Sequence, residues 1–279
     1  MTNFLKGVCL VILLSFSFQI QAQLVLETTN VESILYQGEG DGNKLIVGLG
    51  GSEGGNAWAS DYWKEQREQF LEKGYSFLAL GYFGAKGTPA ILDQIRIEDV
   101  YAAIRLAADQ VKAEHIILLG GSRGADLALF LGSYYSDISA VVSIVGSNAA
   151  FPGHTNHFTS SCWTYQGEQL PFVPVNDAAV PFLMEGDLRG TFEAMLQDSV
   201  AVEASAIQVE NIQGPILFMS AREDEICPST PMANSMLKRL ERHEFKYQYE
   251  HKVYEGSHAA PLKHFDYVLA FLDQHFPRS

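Results

Sequence analysis

Apolar positions along this chain follow two patterns, short continuous runs and longer stretches with helical spacing. The clearest runs are Lys44 to Leu49, Tyr75 to Leu80 and His115 to Leu119, and each is followed directly by glycine. Continuous apolar runs of this length are typical of strands that are buried on both faces. Because helical patterns such as Ile97 to Val111 alternate with these runs, the sequence predicts an α/β fold. We expect a mostly parallel central sheet with helices on both faces.

Weaker patterns complete the predicted order of elements. Further strands are expected at 24–27, 33–36, 140–145, 215–220 and 245–254, and further helices at 58–73, 123–135, 231–243 and 262–275. The segment 146–214 breaks the alternation, since it mixes Pro, Gly, aromatic and acidic residues and has helical character only at 190–206. A long insertion between regular elements is more often a functional lid than a disordered linker, so we expect a lid here.

A serine lies at the most distinctive turn of the chain. The sequence Gly120-Gly121-Ser122-Arg123-Gly124 follows the apolar run that begins at His115 and precedes an apolar helical stretch. A nucleophilic serine needs its hydroxyl raised above the sheet, and the strained turn that achieves this accepts only small neighbours. Glycines two residues before and two residues after the serine meet that requirement. The pattern therefore predicts Ser122 as a nucleophile.

An acid and a base follow the serine in the order that this chemistry uses. A serine hydroxyl is a weak nucleophile until a histidine accepts its proton, and a carboxylate orients that histidine. Asp224 lies just beyond the predicted strand 215–220, and His258 lies just beyond the strand that ends near Tyr254. In strand–serine–helix folds the acid and then the histidine follow at the ends of later strands. We therefore expect Ser122, Asp224 and His258 to form a catalytic triad.

The catalytic acid could be one of three neighbouring residues, 223 to 225. Strand ends are the least certain part of a sequence-based assignment, and acidic residues flank the expected acid on both sides. Glu223 and Glu225 therefore remain alternatives to Asp224.

The oxyanion of an acyl-transfer reaction needs two backbone donors. One is expected from the N–H of Arg123, the residue after the nucleophile, and the other from Ser52 or Glu53 in the glycine-rich loop after Leu49. For the side chain of Arg123, a solvated or salt-bridged position is favoured over binding to a substrate carboxylate.

Aromatic residues near these positions are candidates for the substrate pocket. Tyr82 and Phe83 follow the strand that ends at Leu80, and Trp163 lies in the predicted lid. We expect these three side chains to contact an apolar acyl or aromatic group, with simple core packing as the alternative.

Neither a metal nor a cofactor is expected. His154 and His157 have His-x-x-His spacing with Cys162 nearby, but zinc sites usually show tighter and more numerous ligand sets. The loop 50–55 is a rival candidate for a phosphate cradle. It lacks both the Lys-Ser/Thr of a P-loop and the spacing of a dinucleotide fingerprint.

The charge of the chain excludes some partners. Its 19 basic and 33 acidic residues give a net charge of −14, and no basic cluster is present. Such a surface argues against binding to nucleic acid or to anionic membranes. The charge does not select a substrate and does not determine the oligomeric state. The expected partner is a small-molecule acyl ester or thioester substrate.

The first 22 residues have the features of a cleaved export signal. Lys6 precedes a largely apolar stretch from Gly7 to Phe18, and Ala22 is a small residue suited to cleavage. The apolar stretch is too short to span a bilayer comfortably. We expect a periplasmic or secreted protein without stable membrane insertion after cleavage, and a single catalytic domain at 23–279.

Two cysteines remain after such a cleavage. Export permits a disulfide between Cys162 and Cys227, but two positions in a sequence do not show whether the sulfur atoms meet.

Several stretches of the sequence together resemble one family. They lie at 50–55, 78–83, 120–129, 142–148, 209–218 and 223–229. These stretches resemble the catalytic domain of the acyl-CoA thioesterase / bile acid-CoA:amino acid N-acyltransferase family, over roughly residues 40 to 275. The resemblance implies an α/β-hydrolase fold, similar to that of dienelactone hydrolases, with Ser122, Asp224 and His258 as the triad.

The sequence departs from that family in ways that bear on the substrate. Family members with known acyl-CoA chemistry generally carry an immunoglobulin-like domain before the catalytic one, and we expect none here. Members that transfer acyl groups to amino acids tend to use cysteine, whereas this chain has Ser122. Export also separates the protein from the usual pool of acyl-CoA.

Together these departures favour an exported serine hydrolase that cleaves an ester or a thioester through an acyl-enzyme. The alternatives are an acyl-CoA thioesterase or acyltransferase, and a catalytically silent binding protein on the same scaffold.

Overall fold

The computed structural model describes residues 23–38, 40 and 43–277. The predicted export signal at 1–22 lies outside these residues. The strands of the described part are, in chain order, β1 (Gln23–Leu26), β2 (Glu32–Tyr36), β3 (Lys44–Leu49), β4 (Ser76–Gly81), β5 (Ile95–Arg96), β6 (His115–Gly121), β7 (Ile138–Ile144), β8 (Trp163–Tyr165), β9 (Glu168–Gln169), β10 (Ile216–Ala221) and β11 (Tyr249–Tyr254).

Eight of these strands form the central sheet, in the order β1-β2-β4-β3-β6-β7-β10-β11. The six strands from β4 to β11 in this order run parallel to one another, and β1 and β2 pair in antiparallel fashion at one edge. Strands β5, β8 and β9 form a small separate sheet. The predicted mostly parallel sheet is thus confirmed. The carboxyl ends of β3, β6, β10 and β11 share one edge of the sheet, where ligand sites of parallel sheets form.

Helices connect the parallel strands. They are α1 (Lys64–Glu72), α2 (Ile97–Val111), α3 (Arg123–Tyr134), α4 (Val180–Glu185), α5 (Leu188–Met195), α6 (Ser199–Ala204), α7 (Ser229–Arg242) and α8 (Phe265–His275). Short 3₁₀ turns lie at Ala57–Ala59, Asp61–Trp63, Val209–Asn211 and Ala260–Lys263. Among the described residues, no helix combines the length and the apolar character that crossing a bilayer requires.

The core has two layers because successive side chains of a strand point to opposite faces of the sheet. Leu45 and Val47 of β3 are fully buried in one layer, together with side chains of α2, α3 and α7. Ile46 is fully buried in the other layer, against α1 and α8. Helices therefore cover both faces, as the continuous apolar strands predict.

The segment predicted as a lid is ordered and packs on the carboxyl edge of the sheet. It contains β8, β9 and the helices α4 to α6. The stretch predicted as helical at 190–206 is two helices, α5 and α6, and the Asp198 carboxylate caps the second by accepting from the N–H of Ala201 at 3.0 Å. A third apolar cluster includes Phe151 and Met195 of the segment and Met232 of α7, so it joins the lid to the main body.

Some predicted boundaries differ from the observed ones. The pattern at 58–73 is helical in spacing, but it forms two 3₁₀ turns followed by α1. The stretch at 245–254 becomes a strand only from Tyr249, where pairing with β10 begins. In each case backbone hydrogen bonds to neighbouring elements set the end of the element, and local apolar spacing carries no information about them.

Candidate active site

Ser122 lies between β6 and α3 with a backbone conformation that few L-residues adopt. Its φ is 52° and its ψ is −121°. Such strain in a residue that is not glycine persists only where the surrounding structure imposes it. A Cβ at Gly120 would overlap the carbonyl group of Gly124, and a Cβ at Gly124 would overlap the carbonyl oxygens of Leu49 and Gly50. The two flanking glycines thus let α3 start against the ends of β3 and β6, which holds the serine turn in place.

Asp224 and His258 form a direct pair. The imidazole Nδ1 lies 2.8 Å from Oδ1 and 2.9 Å from Oδ2 of Asp224, in the loops after β10 and β11. Oδ1 also accepts from the backbone N–H groups of Ile226 and Cys227, at 3.0 and 3.1 Å. Burial is the largest influence on the pKa of Asp224 and raises it. Hydrogen bonds from His258 and Ser229, and the other favourable contacts, outweigh burial and hold the pKa below its ordinary value.

The neighbouring acids take other positions. Glu223 and Glu225 are exposed, and Glu225 accepts the backbone N–H of His258 through Oε2 at 2.9 Å. Asp224 therefore contacts the ring of His258, whereas Glu223 and Glu225 are exposed to solvent. Of these three acidic residues, only Asp224 is buried.

Ser122 and His258 face one cavity of about 530 Å³ at the carboxyl edge of the sheet. Its walls are mainly apolar, and much of the wall comes from the lid. The contributing lid residues include Phe158, Val175, Leu188, Phe192 and Met195. Trp58, Trp63 and Leu262 also line the cavity, and no pattern in the sequence separates them from core residues.

The expected oxyanion donors lie beside the serine. The N–H of Arg123 belongs to the first turn of α3, where N–H groups have no acceptor within the helix. The loop after β3 passes close by, since a Cβ built on Gly51 would lie 3.1 Å from Cβ of Ser122. The N–H of Gly51 donates to the Glu53 carboxylate at 2.9 Å. Ser52 and Glu53 line the cavity, so the structure brings the three expected donor residues to its rim.

The aromatic residues expected in the pocket lie elsewhere. Tyr82 is buried, and its hydroxyl donates to the carbonyl of Gly50 at 2.6 Å. Phe83 is largely buried against Gly54, and Trp163 is fully buried with its ring 6.0 Å from that of Tyr82. None of these three rings lines the cavity. The expected substrate contact is therefore corrected to a structural role: Tyr82 and Phe83 contact the loop 50–55, and Trp163 packs beside Tyr82.

The side chain of Arg123 is held in a buried ion pair. Its Nη1 donates to Oδ2 of Asp126 at 3.0 Å, and Asp126 accepts the N–H of Ser147 through Oδ1 at 2.6 Å. The guanidinium lies 5.3 Å from the ring centres of both Phe151 and Phe192. Of the two expected positions, solvated or salt-bridged, the structure shows the salt-bridged one. Its partner Asp126 was not predicted, although the i, i+3 spacing on one helix is a usable signal. The pair ties the lid residue Ser147 to α3, the helix that follows Ser122.

Cys162 and Cys227 are both buried and free, so they form no disulfide with each other. His154, His157 and Cys162 do not come together as metal ligands among the described residues. The group of potential ligand atoms that does come together there belongs to Asp224, Cys227 and His258. Sequence reasoning did not connect Cys227 with the acid three residues before it.

A mostly parallel sheet with a strained serine after a central strand, and with an acid–histidine pair after two later strands, defines the α/β-hydrolase class. The chain belongs to the BAAT / acyl-CoA thioester hydrolase C-terminal family, whose model matches residues 102–259. The resemblance seen in the sequence is thereby confirmed.

Two relatives illustrate the sequence similarity. The human mitochondrial acyl-coenzyme A thioesterase 2 is 31% identical over 175 residues, which cover 61% of this chain and 34% of the relative. The mouse peroxisomal succinyl-coenzyme A thioesterase is 29% identical over 173 residues, which cover 61% of this chain and 39% of the relative. The matched region thus spans between a third and two fifths of these relatives.

Solved structures show the same fold. An esterase of Pyrococcus furiosus matches with a TM-score of 0.61 at 17% identity, covering 91% of this chain and 93% of that one. An acylaminoacyl peptidase of Pyrococcus horikoshii matches with a TM-score of 0.65 at 13% identity, covering 92% of this chain and 42% of that one.

Proposed function

We propose that this protein is an exported serine hydrolase that cleaves an ester or a thioester of a small molecule through an acyl-enzyme on Ser122. One observation carries the proposal: His258, which is paired with Asp224, lines the same cavity as Ser122, whose backbone is strained. Such an arrangement costs conformational energy at Ser122 and buries a carboxylate at Asp224. Both are expected where a nucleophile and its base must be held in place.

In the proposed reaction, Ser122 Oγ attacks the carbonyl carbon while Nε2 of His258 accepts the hydroxyl proton. Asp224 holds the Nδ1–H tautomer and stabilises the imidazolium that forms. The backbone N–H of Arg123, with that of Ser52 or Glu53, receives the negative charge on the carbonyl oxygen. His258 then returns the proton to the leaving alcohol or thiol, and water activated by the same histidine releases the acid from Ser122.

The apolar cavity supports an acyl group with a hydrocarbon portion as the substrate. Each methylene transferred from water to such a wall contributes about 0.8 kcal/mol of binding. The curated relatives are named acyl-coenzyme A thioesterases, and this favours acyl-CoA thioester hydrolysis as the second candidate. Export is a part of the proposal that rests on the composition of residues 1–22 alone, and the intact mass of the exported protein tests whether it begins at Gln23.

Labelling with a fluorophosphonate probe tests the proposed nucleophile. The folded wild type should be labelled with unit stoichiometry, and Ser122→Ala should abolish labelling and lower ester hydrolysis by about 10⁴-fold or more. Ser133→Ala is the matched control, because Ser133 lies on the same helix and donates to the carbonyl of Phe130, away from the cavity. Absence of labelling in the folded wild type would overturn the proposal in favour of a silent scaffold.

A substrate panel separates the candidate activities. Rates with p-nitrophenyl esters, acyl thioesters without CoA and acyl-CoAs should be compared for the wild type and Ser122→Ala. A preference for simple esters or for thioesters other than CoA supports the proposal. A kcat/KM for acyl-CoA far above that for every ester would instead support acyl-CoA thioester hydrolysis, the second candidate.

A further inference from the structure

Cys227 lies beside the Asp224–His258 pair. Its Sγ is 3.8 Å from Oδ2 of Asp224, and the Cys227 sulfur, an oxygen of Asp224 and a ring nitrogen of His258 all lie within 4.8 Å of one another. Cys227 and His258 both line the cavity, while Asp224 is fully buried behind them. The described residues thus place a thiol, an imidazole and a carboxylate around one point that is reached from the cavity.

The two oxygens of Asp224 have different surroundings. Oδ1 accepts the backbone N–H groups of Ile226 and Cys227, and these bonds fix the carboxylate. Oδ2 lies between the other two groups, at 2.9 Å from Nδ1 of His258 and 3.8 Å from Sγ of Cys227. Oδ2, which lies near both the imidazole and the thiol, is therefore the oxygen that accepts neither of these two backbone hydrogen bonds.

These separations are close to those of tetrahedral zinc. Zinc bonds of about 2.0–2.2 Å to nitrogen and oxygen and about 2.3 Å to sulfur separate N from O by about 3.4 Å, and S from O by about 3.6 Å. The Nδ1–Oδ2 distance of 2.9 Å would need to open by about half an ångström, and the S–O distance of 3.8 Å would need to close slightly. Tetrahedral zinc also requires the sulfur and the ring nitrogen to lie about 3.6 Å apart, and in this cluster they lie within 4.8 Å of each other.

We propose that Asp224, Cys227 and His258 form an inhibitory zinc site, in which Zn²⁺ binds Oδ2, Sγ and Nδ1 and leaves its fourth position to a water in the cavity. Three bonds from the protein to the metal form in this step. The hydrated ion releases all of its waters but one, and the hydrogen bond from Nδ1 of His258 to Asp224 breaks. The thiol proton of Cys227 leaves to solvent, and the imidazole changes tautomer, losing its proton at Nδ1 and gaining one at Nε2. No electrons are transferred.

Inhibition follows from the change of tautomer. With Zn²⁺ on Nδ1, the nitrogen that faces the cavity carries a proton and cannot accept another from Ser122. The Asp224 carboxylate is also taken up by the metal and no longer orients the ring. This inhibitory effect rests on the proposed function, whereas metal binding itself does not.

Burial, followed by the charge of Asp224, raises the pKa of the Cys227 thiol well above its ordinary value. A bound divalent cation reverses this electrostatic balance, because it stabilises the thiolate and the carboxylate together. The same cluster is thus compatible both with the metal-free pair and with an N,O,S-ligated zinc ion.

Cys162 provides a matched control. It is also buried and free, and its Sγ contacts the carbonyl of Pro152 at 3.1 Å. It belongs to no group of potential metal ligands among the described residues.

Cobalt spectroscopy on Ser122→Ala tests the site without any catalysis. One equivalent of Co²⁺ added to metal-free protein should produce a thiolate-to-cobalt absorption band that one equivalent of Zn²⁺ removes. The band should persist in Ser122→Ala/Cys162→Ser and vanish in Ser122→Ala/Cys227→Ser. Absence of the band in folded Ser122→Ala overturns the site, and so does a band that survives the Cys227 substitution. If Cys227→Ser does not fold, Cys227→Ala takes its place.

Inhibition is measured separately on the active protein. Zn²⁺ near one equivalent should suppress ester hydrolysis, and EDTA should restore it. Relative to the metal-free rate of each variant, Cys227→Ser should weaken inhibition by more than about 100-fold, because losing a direct ligand costs more than losing an outer partner. Unchanged zinc inhibition in Cys227→Ser overturns the inhibitory role. A cobalt band in a protein that hydrolyses nothing would instead leave the site standing and remove the proposed function.

Discussion

Nδ1 of His258 faces both carboxylate oxygens of Asp224, at 2.8 and 2.9 Å. Because a carboxylate only accepts hydrogen bonds, this contact places the imidazole proton on Nδ1 and leaves Nε2 as the basic nitrogen. Asp224 is itself fixed by two backbone N–H groups, so the orientation of the His258 imidazole is set by the loop after β10.

Asp224→Asn should therefore lower kcat by about 10⁴-fold, the size of the effect that this change has in Ser-His-Asp triads. The amide can donate to Nδ1, which favours the tautomer with its proton on Nε2. The measurement is kcat for a p-nitrophenyl ester, with circular dichroism to verify folding. Glu223→Gln, at the exposed neighbouring position, should keep kcat within about twofold. An Asp224→Asn enzyme as fast as that control would refute the role of Asp224.

Gly124→Ala should destabilise the fold, since the added methyl would overlap the carbonyl oxygens of Leu49 and Gly50. We expect a loss of about 3 kcal/mol or more in the free energy of unfolding. For a protein of this size that lowers Tm by roughly 6–12 °C. Gly121→Ala is the control for stability, because a Cβ there meets nothing within 4 Å. Equal Tm values for the two variants would contradict the close approach of α3 to the end of β3.

Acid should weaken the ion pair between Glu210 and Arg239. The two side chains share bonds of 2.6 Å from Nε to Oε2 and from Nη2 to Oε1, which join the turn before β10 to α7. Burial raises the pKa of Glu210, but the hydrogen bonds and charge of Arg239 outweigh it and lower the pKa below its ordinary value. Because the pKa of Glu210 is lower in the folded than in the unfolded protein, its charge stabilises the fold at pH values above the unfolded pKa of about 4.3. This stabilisation is lost as the pH falls through the folded pKa.

Glu210→Gln should accordingly reduce the free energy of unfolding by about 1–2 kcal/mol at pH 7. The difference from wild type should shrink as the pH is lowered below about 4. Urea unfolding at a series of pH values measures it. Glu255→Gln, which removes the exposed partner of Arg222, should have no measurable effect. A gap between wild type and Glu210→Gln that stays constant with pH would rule out the ion pair as its source.

The cavity wall formed by the lid should set the preferred acyl length. Val175 is a lid residue that lines the cavity. Val175→Trp should displace three to four methylenes of a long acyl chain, each contributing about 0.8 kcal/mol of binding. We expect kcat/KM for a dodecanoate ester to fall about 10²-fold, while that for an acetate ester stays within about threefold. Val200→Trp, on an exposed face of α6, should leave both values unchanged. A parallel loss for both esters in Val175→Trp would locate the acyl group elsewhere.

The main elements were predictable because their patterns are local. Continuous apolar runs identify β3, β4 and β6 as buried strands, and glycine spacing marks the turn at Ser122. The roles of aromatic residues were not predictable in this way. The sequence predicts a substrate contact for Trp163 and none for Trp58, yet both side chains are buried and, of the two, only Trp58 borders the cavity.

The sequence alone determined the order of the central strands and the main helices between them, the glycine-flanked serine, and the later acid and histidine, because each follows from neighbouring residues and chain order. Only the tertiary structure decided that Asp224 rather than Glu223 or Glu225 meets His258, and that Cys227 joins them. These contacts depend on the direction in which side chains leave loops at the ends of adjacent parallel strands. That direction is fixed by backbone bonds between segments distant in sequence, and no local pattern encodes it.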